Sequence, residues 1–363
     1  MNRYFKFFFL LLLTVALFFG FLHLFVSSNS FNYERLHIFL FNLCTGGSVI
    51  IYYTLGEKEF QPINLFFLSL SILYALCTFF HQYIAAIVIA FLLSFITEKV
   101  RIGKFGFFPL AFFKNDVRVY KKFHQASLLC LSIGLFLSGL VIINSEYHRV
   151  ITLKFLKLDT FFLGFSFPVS LITMSVMFKK IKEDSRGAVN ALKNASFWTV
   201  NLGVIIFFGF ILMEKYILQV FVTTILFSCV ITIFILFRNM AGRGQDKNFL
   251  TSGMFFLLVT SITGIMYILL HFFDYSEQSG KFLLRIHTFS ALYGWNISGL
   301  AVIIRYRDFP IQLSSRRTIL LHWITVMIFA PIGYLYPPLA IVATLSYFVL
   351  IALVLFTNKI AKV

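Results

Sequence analysis

The chain has 363 residues, of which 60% are hydrophobic and only 12% charged, about half the ~25% charged fraction of soluble domains. That balance excludes a water-soluble globular protein. The net charge of +17 calls for no nucleic-acid partner, because membrane proteins collect Lys and Arg in their cytoplasmic loops.

The chain opens with Met1-Asn2-Arg3-Tyr4-Phe5-Lys6 and an apolar run to Val26. The run is as long as a membrane span and lacks a small-x-small cleavage site, so it reads as a retained first span rather than a signal peptide. A helix needs about 20 mostly apolar residues to cross a bilayer. That ruler predicts spans near 5-26, 36-56, 63-80, 82-98, 123-144, 159-178, 197-213, 216-237, 250-273, 282-304, 318-335 and 338-357. The runs are continuous rather than alternating, which argues against a barrel, and open sheet edges are not tolerated in lipid. The expected fold is therefore all-α: a polytopic bundle of about 12 transmembrane helices forming one domain over 1-363, in contact with the lipid bilayer.

With the N-terminus inside, the inner loops hold 24 of the 31 Lys and Arg. Both termini are then cytoplasmic, as in a bacterial-type inner membrane. The loops 99-122, 179-196 and 238-249 are the longest hydrophilic stretches and are too short to fold as soluble domains. Function is expected inside the bundle or at its faces.

Ionisable groups within a membrane are costly and mark function. The acids Glu98, Asp159, Glu214, Asp274 and Glu277 all fall at predicted helix ends or in loops, which weighs against a carrier coupled through a midplane carboxylate. Cys44, Cys77, Cys130 and Cys229 lie in apolar runs without C-x-x-C spacing, as small packing residues do, and no disulfide or zinc site is expected. Histidine is what remains.

His37 begins helix two in Arg35-Leu36-His37, with 37, 41, 44 and 48 on one helical face. His287 begins helix ten in Arg285-Ile286-His287, above a column of Ala291, Gly294 and Ser298. A low-spin haem takes two axial imidazoles, and small residues beneath them leave room for a flat macrocycle. Arg35 and Arg285 are candidates to hold its propionates.

These two segments resemble the heme–copper oxidase superfamily, meaning the catalytic subunits of C-family oxidases and nitric-oxide reductases together with the NnrS family. The stretches that carry the likeness are Arg35-Leu36-His37, the run His287-Thr288-Phe289-Ser290-Ala291-Leu292-Tyr293-Gly294-Trp295, and the tail Leu300-Ala301-Val302-Ile303-Ile304-Arg305. The resemblance implies a twelve-helix core with both termini inside, haem b held by His37 and His287, and a redox partner protein or quinol. It implies electron transfer or nitric-oxide handling. Arg285 stands where oxidases carry the ligand of the catalytic haem, and 159-178 and 197-213 contain no histidine, so no copper centre is expected.

His23, His81 and His271 lie near outer helix ends and are candidates for a second site, although helix-end histidines are commonly interfacial. His148 beside Arg149 reads as solvated, and His124 and His322 as inner-interface residues. Pro168 and Pro331 fall within helices, where they are expected to kink them. The alternative reading is a small-solute or lipid transporter, which should show broken helices in matching positions.

Overall fold

The computed structural model describes residues 1–22, 24–26, 31–56, 60–153, 155–182, 187–273, 275–306, 308, 313 and 315–357. The membrane helices are α1 (Arg3–Leu22), α2 (Tyr33–Leu55), α3 (Pro62–Phe79), α4 (Tyr83–Phe105), α5 (Val119–His148), α6 (Phe162–Lys180), α7 (Gly187–Leu212), α8 (Tyr216–Met240), α9 (Asp246–Phe272), α11 (Arg316–Leu335) and α12 (Pro337–Phe356). These eleven are long and apolar enough to cross a membrane. The predicted span at 282-304 is α10, residues 277–304, built from Glu277–Phe289, Ser290–Asn296 and Ile297–Ile304. Its Tyr293-Gly294-Trp295-Asn296 stretch makes it more polar than the others. That is tolerated because these residues are buried in the bundle, where protein and not lipid surrounds them. The chain is an all-α polytopic membrane protein.

Local chemistry sets the helix ends. Asn32, Ser276 and Ser315 each accept the backbone N–H of the residue three positions on, capping α2, α10 and α11. Gly56 closes α2 in the left-handed region at φ 69°. Several helices outrun their predicted spans: α7 starts ten residues earlier than expected, and α4 runs on to Phe105. Glu98 is therefore inside α4 and not at its end, where it binds Arg101 and accepts the Ser132 hydroxyl of α5 at 3.0 Å.

π-Helical turns interrupt α2 at Phe39–Gly47, α6 at Phe162–Ser166 and α10 at Ser290–Asn296. These three helices pack on one another at the centre, each returning from an antiparallel partner, α1, α5 or α9. A further π turn in α11 covers Thr325–Phe329. Pro168 and Pro331 each lie two residues beyond a π turn. A proline cannot donate to the carbonyl four residues back and collides with it; widening the turn before it relieves both problems. The expected kinks are resolved in this way. At the α5–α6 contact, Gly134 meets Gly164 backbone to backbone.

The end of the bundle rich in Lys and Arg is tied by charge. Lys180 pairs with Asp246, beside an isolated antiparallel bridge between Ile181 and Ala241. Arg305, fully buried, donates to the carbonyls of Val354 (3.0 Å) and Thr357 (2.7 Å) and pairs with Asp308, which Lys6 also reaches. That cluster joins α1, α10 and α12.

Candidate functional site

At the opposite end, called outer here, His37 and His287 are held by the same device. The His37 ring lies against Gly20 of α1, where an added Cβ would come within 3.2 Å of the ring. Its Nδ1 is 2.8 Å from the Ala16 carbonyl. The His287 ring lies against Gly264 of α9, with the corresponding approach 3.0 Å, and its Nδ1 is 2.9 Å from the Thr260 carbonyl. In each case the preceding antiparallel helix offers a carbonyl and, one turn later, a glycine that lets the ring sit close. A carbonyl only accepts, so each Nδ1 carries the proton and each Nε2 is the bare nitrogen. A hydrogen bond from Nδ1 to a carbonyl of this kind fixes the tautomer and the ring orientation of metal-binding imidazoles.

The two nitrogens have different surroundings. The Tyr293 hydroxyl of α10 lies 2.8 Å from Nε2 of His37 and donates to it. Nε2 of His287 makes no hydrogen bond to the protein among the described residues.

The rings also lie on opposite sides of α10. Arg285, Phe289 and Tyr293 form the side that meets α1, α2 and α11. Arg285 binds Glu34 at 2.5 Å and covers the Tyr334 ring at 5.1 Å. Phe289 meets Phe21 at 6.0 Å, and Tyr293 meets Phe41 at 5.5 Å. His287, Gly294 and Ser298 form the other side, which packs on α9. A Cβ at Gly294 would come within 2.6 Å of Phe256, and one at Gly253 within 2.6 Å of Ser298. The column of small residues below His287 therefore serves close packing of α9 on α10. In α2, the π turn breaks the expected face through 37, 41, 44 and 48, and Gly47 receives Phe67 of α3.

A single porphyrin bridging His37 and His287 between α2 and α10 does not fit this arrangement. Of the two imidazoles, that of His287 keeps an unengaged Nε2 able to bind a metal, whereas Nε2 of His37 is taken by Tyr293. Nor are the arginines placed as a propionate pair: Arg285 is engaged by Glu34, and Arg35 points to the other side of α2, over Phe161 at 5.6 Å.

Other histidines depart from the sequence reading. His322 is fully buried and not interfacial; its Nε2 donates to the Tyr293 carbonyl at 2.7 Å, and Phe249 and Phe256 flank the ring. His124 is buried too, bonded to the Thr54 hydroxyl at 2.8 Å. His81 contacts Tyr83, and His271 stacks on Tyr216 at 4.2 Å. His23 lies outside the described residues. No group of three His, Cys, Asp or Glu able to hold a metal occurs among the described residues.

The sequence likeness included Tyr293 and Trp295 without giving them a role, and Asn296 was overlooked. The Trp295 indole donates to Ser170 at 2.7 Å and the Asn296 amide to Ser166 at 3.3 Å, joining α10 to α6. The available signal was a Tyr-Gly-Trp-Asn run amid apolar residues, since polar side chains inside membranes need partners. Comparison with protein-family models, curated proteins and solved structures finds no match for this chain.

Proposed function

We propose that the chain is a haem b-binding membrane protein related to the heme–copper oxidase and NnrS group, in which His287 would hold the haem and the haem would supply chemistry toward a small gas such as nitric oxide. The observation that carries this reading is the His287 ring, fixed by Thr260 and Gly264 with a bare Nε2 that nothing in the protein claims. Two imidazoles on opposite sides of α10 favour a one-histidine haem, which handles gases, over a two-histidine haem, which passes electrons. Bound haem would supply a metal held by the macrocycle, so one protein ligand suffices. Thr260 holds the His287 proton on Nδ1, Gly264 admits the ring, and Tyr293 occupies His37 on the far side. A quinol or redox protein is the proposed electron source, the termini are proposed to face the cytoplasm, and a bacterial-type inner membrane is the proposed location. The π turns of the three central helices favour a second reading, a small-solute or lipid transporter with interrupted helices in matching positions.

The test is a dithionite-reduced minus oxidised spectrum of protein purified from haem-supplied cells, with and without nitric oxide, and haem quantified in alkaline pyridine. The expected result is about one haem per chain, a spectrum that nitric oxide changes, and loss of haem in His287→Ala but not in His37→Ala. A spectrum indifferent to nitric oxide and lost in both variants would restore the two-histidine site. Haem-free protein would put the transporter first.

A further inference from the structure

On the side of α2 turned away from α10, two narrow outer clefts meet at Arg35 and Thr78. One opens toward the cap residue Asn32 and His81; the other opens toward Tyr83, Glu146 and Lys157. His81 forms the rim of the first in a left-handed backbone conformation, φ 60°, an arrangement that side chains other than glycine seldom adopt and that tends to mark functional places.

The charge balance at this junction is uneven. Two acids lie within reach of neutralising Arg35, and both are engaged elsewhere. Glu34 binds Arg285 at 2.5 Å, while Glu146 binds Lys157 at 2.8 Å and the Ser145 hydroxyl at 3.1 Å. The Arg35 guanidinium lies against the Phe161 ring and makes no hydrogen bond or ion pair among the described residues. It is half-buried, so a planar fork of five donors faces two clefts of mixed lining, with Leu36 and Phe39 in one and Ile142, Glu146 and Lys157 in the other. A guanidinium fork matches the oxygens of a phosphate or carboxylate two at a time. The clefts are narrow, suited to the oxygens of one such group and not to a ring system.

We infer that Arg35 is an oxyanion site that takes a phosphate group, either free or borne by a lipid headgroup. The inference is independent of the haem reading and of His287.

The test is native mass spectrometry of delipidated protein titrated with short-chain phosphatidylglycerol, with a phosphate-free glycolipid of matching chains, and with inorganic phosphate. One phosphatidylglycerol per chain, with no glycolipid, identifies the headgroup as the source; saturable binding of inorganic phosphate in place of the lipid identifies the free anion. Either binding should weaken at least tenfold in Arg35→Gln and by less in Arg35→Lys, which keeps the charge and loses the fork. Glycolipid binding as tight as phosphatidylglycerol, no saturable binding of either phosphate, or unchanged affinity in Arg35→Gln overturns the inference. Should Arg35→Gln fail to fold, the lipid-against-glycolipid comparison on the parent protein and the Arg35→Lys result decide it.

Discussion

Gly134→Ala tests the packing that sets α6 at the centre of the bundle. A methyl at Gly134 would lie 2.9 Å from the carbonyl carbon and oxygen of Gly164, and closer still to its Cα, where ordinary carbon contacts are about 3.5–4.0 Å. The obstructing atoms are backbone, so no rotamer change relieves the clash. The two helices must part by on the order of 1 Å. Parting stretches the bond from the Ser127 hydroxyl to the Pro168 carbonyl, now 2.8 Å. Overpacking costs about 1–3 kcal/mol, and weakening that bond adds about 0.5–1.5 kcal/mol. The expected loss is then about 1.5–4.5 kcal/mol. Gly209 of α7 supplies the control, because a Cβ there meets nothing within 4 Å; Gly209→Ala should be neutral or gain up to about 1 kcal/mol of helix propensity. The assay is the heating midpoint in mild detergent, read as monomer surviving on size exclusion. Equal midpoints for the two variants would refute the reasoning.

Glu34→Gln removes the ion pair that joins α2 to α10 through Arg285. The side chains are 43% and 29% exposed, so the cost should be about 0–1 kcal/mol and should shrink with added salt; a loss as large as that of Gly134→Ala would show the pair to be structural. For orientation, single cysteines replacing Lys114 and Ser279, both exposed, are introduced into a cysteine-free chain. A membrane-impermeant maleimide should label intact cells at 279 and not at 114, and the reverse pattern would invert the proposed topology.

Much of the candidate site lay within reach of the sequence, and its orientation did not. His37 and His287 stood out because histidine at the start of an apolar run is rare enough to notice. Their partners were not visible, because Gly20, Gly264 and the carbonyls of Ala16 and Thr260 belong to other helices and look like ordinary membrane residues. The burial of His124 and His322 was equally hidden: a helix start near Lys or Arg resembles an interface until the packed neighbours are known.

What the sequence alone determined is the all-helical, membrane-spanning character of the chain and the approximate position of each helix. These follow from hydropathy and from the cost of unpaired backbone in lipid, which act residue by residue. Tertiary structure alone decided which side of each helix meets which neighbour. The small residues below His287 carry the same composition whether they border a cofactor or pack on α9, and only the position of Phe256 tells the two apart. The π turns of α2, α6 and α10 have the same origin: each shifts the helical register by one residue in response to packing, so a wheel drawn at 100° per residue cannot anticipate the face beyond it.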